Sequence, residues 1–150
     1  MKSLISNNGQ TIKGNAYIKG LEEYKENNHC AVRALATSLQ ITFEEADLIT
    51  YTFGRQYQQG MNYNSVIDML NSNGFIAMSD MELINPNNSR KGTYTAESFI
   101  KAKVGCPDYN YYILVKGHAI GINHEGISDN ANFSGRKRIN RAFKIPVNKI

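Results

Sequence analysis

A change of period at Tyr109 limits the fold more than any other feature of this chain. Before it, apolar residues recur at helical spacing. After it, they alternate or run together as in strands. Helices gathered first and strands last predict an α+β domain with a segregated antiparallel sheet, not an alternating βαβ array. With 150 residues, the chain reads as a single domain over 1–150, large enough to bury a core without staples. A hydrophobic fraction of 41% and a charged fraction of 20% argue against a disordered body.

Residues 1–27 read as a polar N-terminal loop with one short strand near Ala16–Lys19. Residues 28–105 form the helical part and 109–147 the sheet. The first helix is expected from Cys30 to Leu39, where Ala31, Val32, Ala34, Leu35 and Leu39 make an apolar stripe. Thr42-Phe43-Glu44-Glu45 reads as a capping box, with Glu45 reaching back to the cap. The helix it opens carries Ala46, Leu48, Ile49 and Phe53 inward and stops near Gly54. Arg55–Tyr63 is a Gln-rich loop. Asn64 is the expected cap of a third helix with Val66, Ile67, Met69 and Leu70 inward, ended by Gly74. A short strand follows at Phe75–Met78, then a loop at Asn85–Asn88, then a fourth helix, Ala96–Lys103, capped by Thr95. Four strands are expected at Tyr111–Lys116, Ala119–Asn123, Ile127–Asn130 and Ile139–Val147.

Three residues in this frame carry chemistry. Cys30 falls at a helix start, where unsatisfied amides and the helix dipole favour a thiolate. A solitary cysteine is more often a small buried hydrophobe. His118 opens a strand after Gly117. Asp129 follows the reversal at His124-Glu125-Gly126. A two-residue turn at Glu125-Gly126 sets Asp129 opposite Ile122, and one at His124-Glu125 sets it opposite Ile120. Either puts it on the face of His118, close enough to orient the imidazole. A three-residue loop would flip it away and make Asn130 the orienter. A thiol on a helix start, a base and an orienter together meet the visible half of a nucleophile checklist. His29 diverges from Cys30 and is a poor base; His124 belongs at an exposed hairpin tip. Cys106 has no evident partner. No cysteine or histidine spacing suits zinc, so neither metal nor organic cofactor is expected.

The stretch Asn28-His29-Cys30-Ala31-Val32-Arg33-Ala34-Leu35-Ala36 resembles the Asn-Asp-Cys-x-x-Arg-Ala-Leu-Ala opening of a group of small bacterial and phage proteins. Gly117-His118 through Asp129 resembles their later segment, and Ser134-Gly135-Arg136 to Ala142-Phe143 their basic end. The similarity spans about residues 25–145. That group looks like a minimal branch of the papain-like cysteine peptidase superfamily, near the bacteriocin-processing peptidases. The resemblance implies a papain-like fold, with N-terminal helices packed on a C-terminal twisted antiparallel sheet. It also implies Cys30 as nucleophile, His118 as general base and Asp129 as orienter. The usual Asp before the cysteine is His29 here, and no Gln lies shortly upstream. Asn28 or Asn27 would then supply the oxyanion-hole N–H beside that of Cys30. Arg33, one turn after Cys30, is expected in a structural ion pair that supports the site.

The expected activity is cleavage of amide or isopeptide bonds in a protein or peptide through an acyl-enzyme. The alternative is a papain-like binding module without turnover, such as a phage or bacterial host-interaction factor. The start of the chain lacks the apolar run of a signal peptide and no stretch has the length of a membrane span. The expectation from those features is a cytoplasmic protein with no membrane partner. A disulfide between Cys30 and Cys106 is disfavoured there. The net charge of +4 gathers in Arg136, Lys137, Arg138, Arg141, Lys144 and Lys149, which read as a solvated strand and terminus. With only Phe133 and Phe143 nearby, nucleic acid is not the expected partner. Loops 55–63 and 84–94 are expected to shape the substrate pocket.

Overall fold

A computed structural model describes residues 6–7, 11–12, 14, 29–56, 60–87, 92–128 and 136–150. The expected Ala16–Lys19 strand lies outside them. Among the described residues there are four α-helices: α1 Cys30–Leu39, α2 Phe43–Thr52, α3 Tyr63–Ser72 and α4 Ala96–Lys103. Five strands, β1 Ile76–Ala77, β2 Tyr109–Val115, β3 His118–Asn123, β4 Gly126–Ile127 and β5 Ile139–Pro146, form one antiparallel sheet. The architecture is therefore α+β. No described helix is long and apolar enough to cross a membrane.

Local chemistry explains the helix starts. The Thr42 hydroxyl accepts the Glu45 amide at 3.1 Å and also meets the Glu45 carboxylate at 3.1 Å. Glu45 thus reaches back to the cap's hydroxyl. Thr95 and Ser98 close a full capping box on α4. The third helix starts earlier than expected: Asn62, not Asn64, is its cap, accepting the Asn64 amide at 2.8 Å. Leu48 departs from its expected inward place and is exposed; α2 buries Phe43, Ala46 and Thr50 instead. Arg55 is buried, its Nη1 3.0 Å from the Asp47 carboxylate, so this first residue of the Gln-rich stretch is anchored to α2.

Alternation along β2 gives the sheet two covered faces. Tyr112 and Leu114 join Ala119, Phe143 and Ile145 beneath α1, α2 and α3. Tyr111, Ile113 and Val115 join Ile120, Ile122 and Ile127 beneath Tyr94 and the Phe99 helix α4. The strand order is β1-β5-β2-β3-β4. The last strand therefore lies inside the sheet, pairing with β1 at Phe143–Lys144 and with β2 along its length. Two-residue turns join β2 to β3 and β3 to β4. The second is His124-Glu125, fixed by Ile122 opposite Ile127 and Asn123 opposite Gly126. The Asn123 side-chain oxygen decides it by accepting the Glu125 and Gly126 amides at 2.8 and 3.1 Å.

Helix α1 lies on the sheet at unusually short range. A Cβ built on Gly121 of β3 would come 2.2 Å from the Ala34 carbonyl oxygen, so only glycine admits the helix there. Sheet side chains then hold the helix by its carbonyls. The Tyr112 hydroxyl donates to Ala31 at 3.1 Å, the Asn123 amide to Thr37 at 3.0 Å and the Asn110 amide to Ser38 at 2.9 Å. The last two satisfy acceptors that the end of a helix leaves open.

Candidate functional site

Cys30 is the first residue of α1. The helix's own ladder begins with the Arg33 amide on the His29 carbonyl at 3.0 Å. The amides of residues 30 to 32 stand ahead of that ladder, at the positive end of the helix dipole. The Tyr112 hydroxyl holds the Ala31 carbonyl, so β2 fixes the first turn directly under the thiol. Burial pushes the Tyr112 phenol well above its ordinary range, and the charge on the neighbouring Cys30 sulfur acts in the same direction. Tyr112 therefore stays a neutral donor.

His118 is brought to the same place from the sheet. It pairs with Val115 across a two-residue turn in which Gly117 takes φ +74°, a left-handed conformation suited to glycine. By alternation His118 shares the face of Ile120 and Ile122, away from α1. As the first residue of β3, at the rim of the sheet, it lines one cavity of about 410 Å³ together with Cys30. That volume falls within the usual range for ligand sites, about 300–1,000 Å³. Much of the wall is apolar, formed by Met61, Val66, Leu114 and Ala119, with Asn140 among the polar groups.

The loop before α3 contributes Gly60 and Met61 as expected, but none of the described residues of 84–94 lines this wall. Ile84 bridges Thr93, and the Tyr94 amide bonds Leu83 at 2.8 Å. Leu83 and Tyr94, beside the segment's two ends, pack instead into the α4 core on the other face of the sheet.

The remaining candidates divide. Asn27, Asn28, Asp129 and Asn130 lie outside the described residues. Arg33 Nη2 donates to the Ser128 main-chain carbonyl at 2.8 Å. Ser128 turns its hydroxyl to accept the Gly121 amide at 2.9 Å. Arg33 and Ser128 thereby tie α1 to the strand pair carrying His118. His29 packs edge-on against Phe43, ring centroids 5.7 Å apart. His124 is half exposed at the hairpin tip, 3.9 Å from the Glu125 carboxylate. Cys106, expected to lack a partner, receives the Tyr111 hydroxyl at 3.7 Å. Cys30 and Cys106 are not joined by a disulfide. Among the described residues no group of three or more His, Cys, Asp or Glu side chains is placed to hold a metal.

No protein-family model, curated protein or solved structure matches the chain. Gly121 and Tyr112, which set the approach and height of α1, were not singled out in the sequence. A lone glycine inside an apolar strand was the available signal for the first.

Proposed function

We propose that the chain is a papain-like cysteine hydrolase that cleaves amide or isopeptide bonds in a peptide or protein, acting in a reducing cytosol. One observation carries this reading: Cys30 at a helix start and His118 at a strand start, distant in sequence, line the same cavity. The Cys30 thiolate attacks the carbonyl carbon, with the C–S bond forming as the C=O electrons move to oxygen. The Cys30 amide, with Asn28 or Asn27, holds that oxyanion. The protonated His118 gives its proton to the leaving amine as the C–N bond breaks. His118 then takes a proton from water, which attacks the thioester and releases the acid and the thiolate. Asp129 or Asn130 orients the imidazole, and no cofactor is called for.

The test is intact-mass labelling with iodoacetamide between about pH 5 and 9, comparing wild type with Cys30→Ser and His118→Ala. The reading requires Cys30 to alkylate with an apparent pKa well below the free-thiol value of about 8.5. It also requires His118→Ala to remove that shift. An inert Cys30 beside a reactive Cys106 would make Cys30 a packing residue and the protein a binding module on the same fold.

A further inference from the structure

We infer that the cavity selects a substrate presenting an apolar side chain beside the reacting carbonyl and a carboxylate at the rim. This deepens the cysteine-hydrolase reading and rests on it. The wall holds no carboxylate among its described residues. Met61 and Val66 from the α3 side and Leu114 from the sheet line it together, which offers an inserted side chain apolar contact. Burying aliphatic atoms there is favourable, and the described wall offers an inserted cation no carboxylate to replace its hydration.

Among the described residues, the charged side chains at the rim are cationic. Lys116 lines the cavity beside His118. The Lys137 ammonium is brought to the same turn by its bond to the Lys116 carbonyl at 3.1 Å. Both residues are exposed, so their contribution is a steering field and not a buried ion pair. A carboxylate at the rim would meet the field of Lys116 and Lys137 at the turn that precedes the proposed base. The expected substrate is accordingly an acidic peptide segment with an aliphatic residue at the bond to be cut.

Three alkylating probes read these two preferences without knowledge of the natural substrate. In each, the thiolate forms a C–S bond to the probe carbon and iodide leaves with the C–I electrons. N-hexyliodoacetamide should alkylate Cys30 roughly tenfold or more faster than iodoacetamide, the effect of burying about two methylenes. Cys106 in the same molecule provides the reference ratio. Iodoacetate should gain on iodoacetamide at Cys30 at low salt. That gain should fall roughly three- to tenfold in a Lys116→Gln/Lys137→Gln double variant. It should shrink likewise as the Debye length shortens from about 30 Å at 0.01 M to about 8 Å at 0.15 M. If Cys30 reacts with iodoacetamide in a His118-dependent manner but shows neither preference, the hydrolase reading stands and this inference is overturned. If only one preference is absent, that half of the substrate description is wrong. If Cys30 resists iodoacetamide throughout, the hydrolase reading falls and takes this inference with it.

Discussion

Replacing Gly121 with alanine tests the contact on which the whole site depends. The new Cβ would stand 2.2 Å from the Ala34 carbonyl oxygen and 2.9 Å from both its carbonyl carbon and its Cα. Ordinary contact is about 3.5–4.0 Å, so helix and strand must part by more than about 1 Å. Overpacking typically costs about 1–3 kcal/mol when side chains can adjust. Here the obstacle is helix backbone, and that helix is already held through the carbonyls of Ala31, Thr37 and Ser38. The upper end, about 3 kcal/mol, is therefore expected. For a urea slope of about 2 kcal/mol/M, the unfolding midpoint should drop by about 1.5 M. Gly60→Ala is the control, because a Cβ there meets nothing within 4 Å, and it should stay within about 0.5 kcal/mol of wild type. Equal midpoints for the two variants would refute the close approach of α1 to β3. Because that approach also sets Cys30 relative to His118, Gly121→Ala should slow His118-dependent alkylation of Cys30.

Three further outcomes follow from individual groups. Asn123→Ala removes a buried donor to Thr37 and the acceptor that fixes the His124-Glu125 turn; urea unfolding should register a loss of about 2–3 kcal/mol. Burial holds the Tyr111 and Tyr112 phenols above their ordinary range. Their contribution is complete below the unfolded value of about 10 and is lost as pH rises through the folded values. Phenolate absorbance should therefore rise in two stages, the later one with loss of circular dichroism; simultaneous titration of all nine tyrosines in folded protein would contradict this. The Glu82 carboxyl is held below its usual value, chiefly by the hydrogen bond from Lys144 at 2.8 Å. Its small stabilisation should be present above about pH 4.5 and fade as pH falls through the lowered value, so the midpoint gap between wild type and Glu82→Gln should close in acid.

Much of the helical layer was legible because local chemistry agreed with packing. The alanine-rich stripe gave the bounds of α1, and Thr95 those of α4. The cap of α3 was misplaced because Asn62 and Asn64 are equally good caps, and the apolar stripe begins only at Val66. Leu48 was misplaced because periodicity cannot show where a neighbouring layer ends. Strand existence was readable from the alternation, but strand order was not: the return of β5 to lie beside β2 is a long-range choice. Asn123 carried the clue to the correct hairpin turn, since asparagine accepts amides two and three residues on. The thiol and the imidazole stood out by residue type and position, whereas the cavity they share depends on Gly121, whose role exists only once the helix arrives.

The place of β5 inside the sheet has a consequence for synthesis. Strands β2 and β3 leave the ribosome as a hairpin whose β2 edge has no neighbour until Ile139–Pro146 has been made. During that interval the nascent chain presents Tyr111–Val115, a run of aromatic and aliphatic residues, with unpaired main-chain groups. A chaperone that shields an open strand edge would act at this stage. Neighbouring nascent chains translated from one message would be at their greatest risk of joining edge to edge then, before the final strand takes its place.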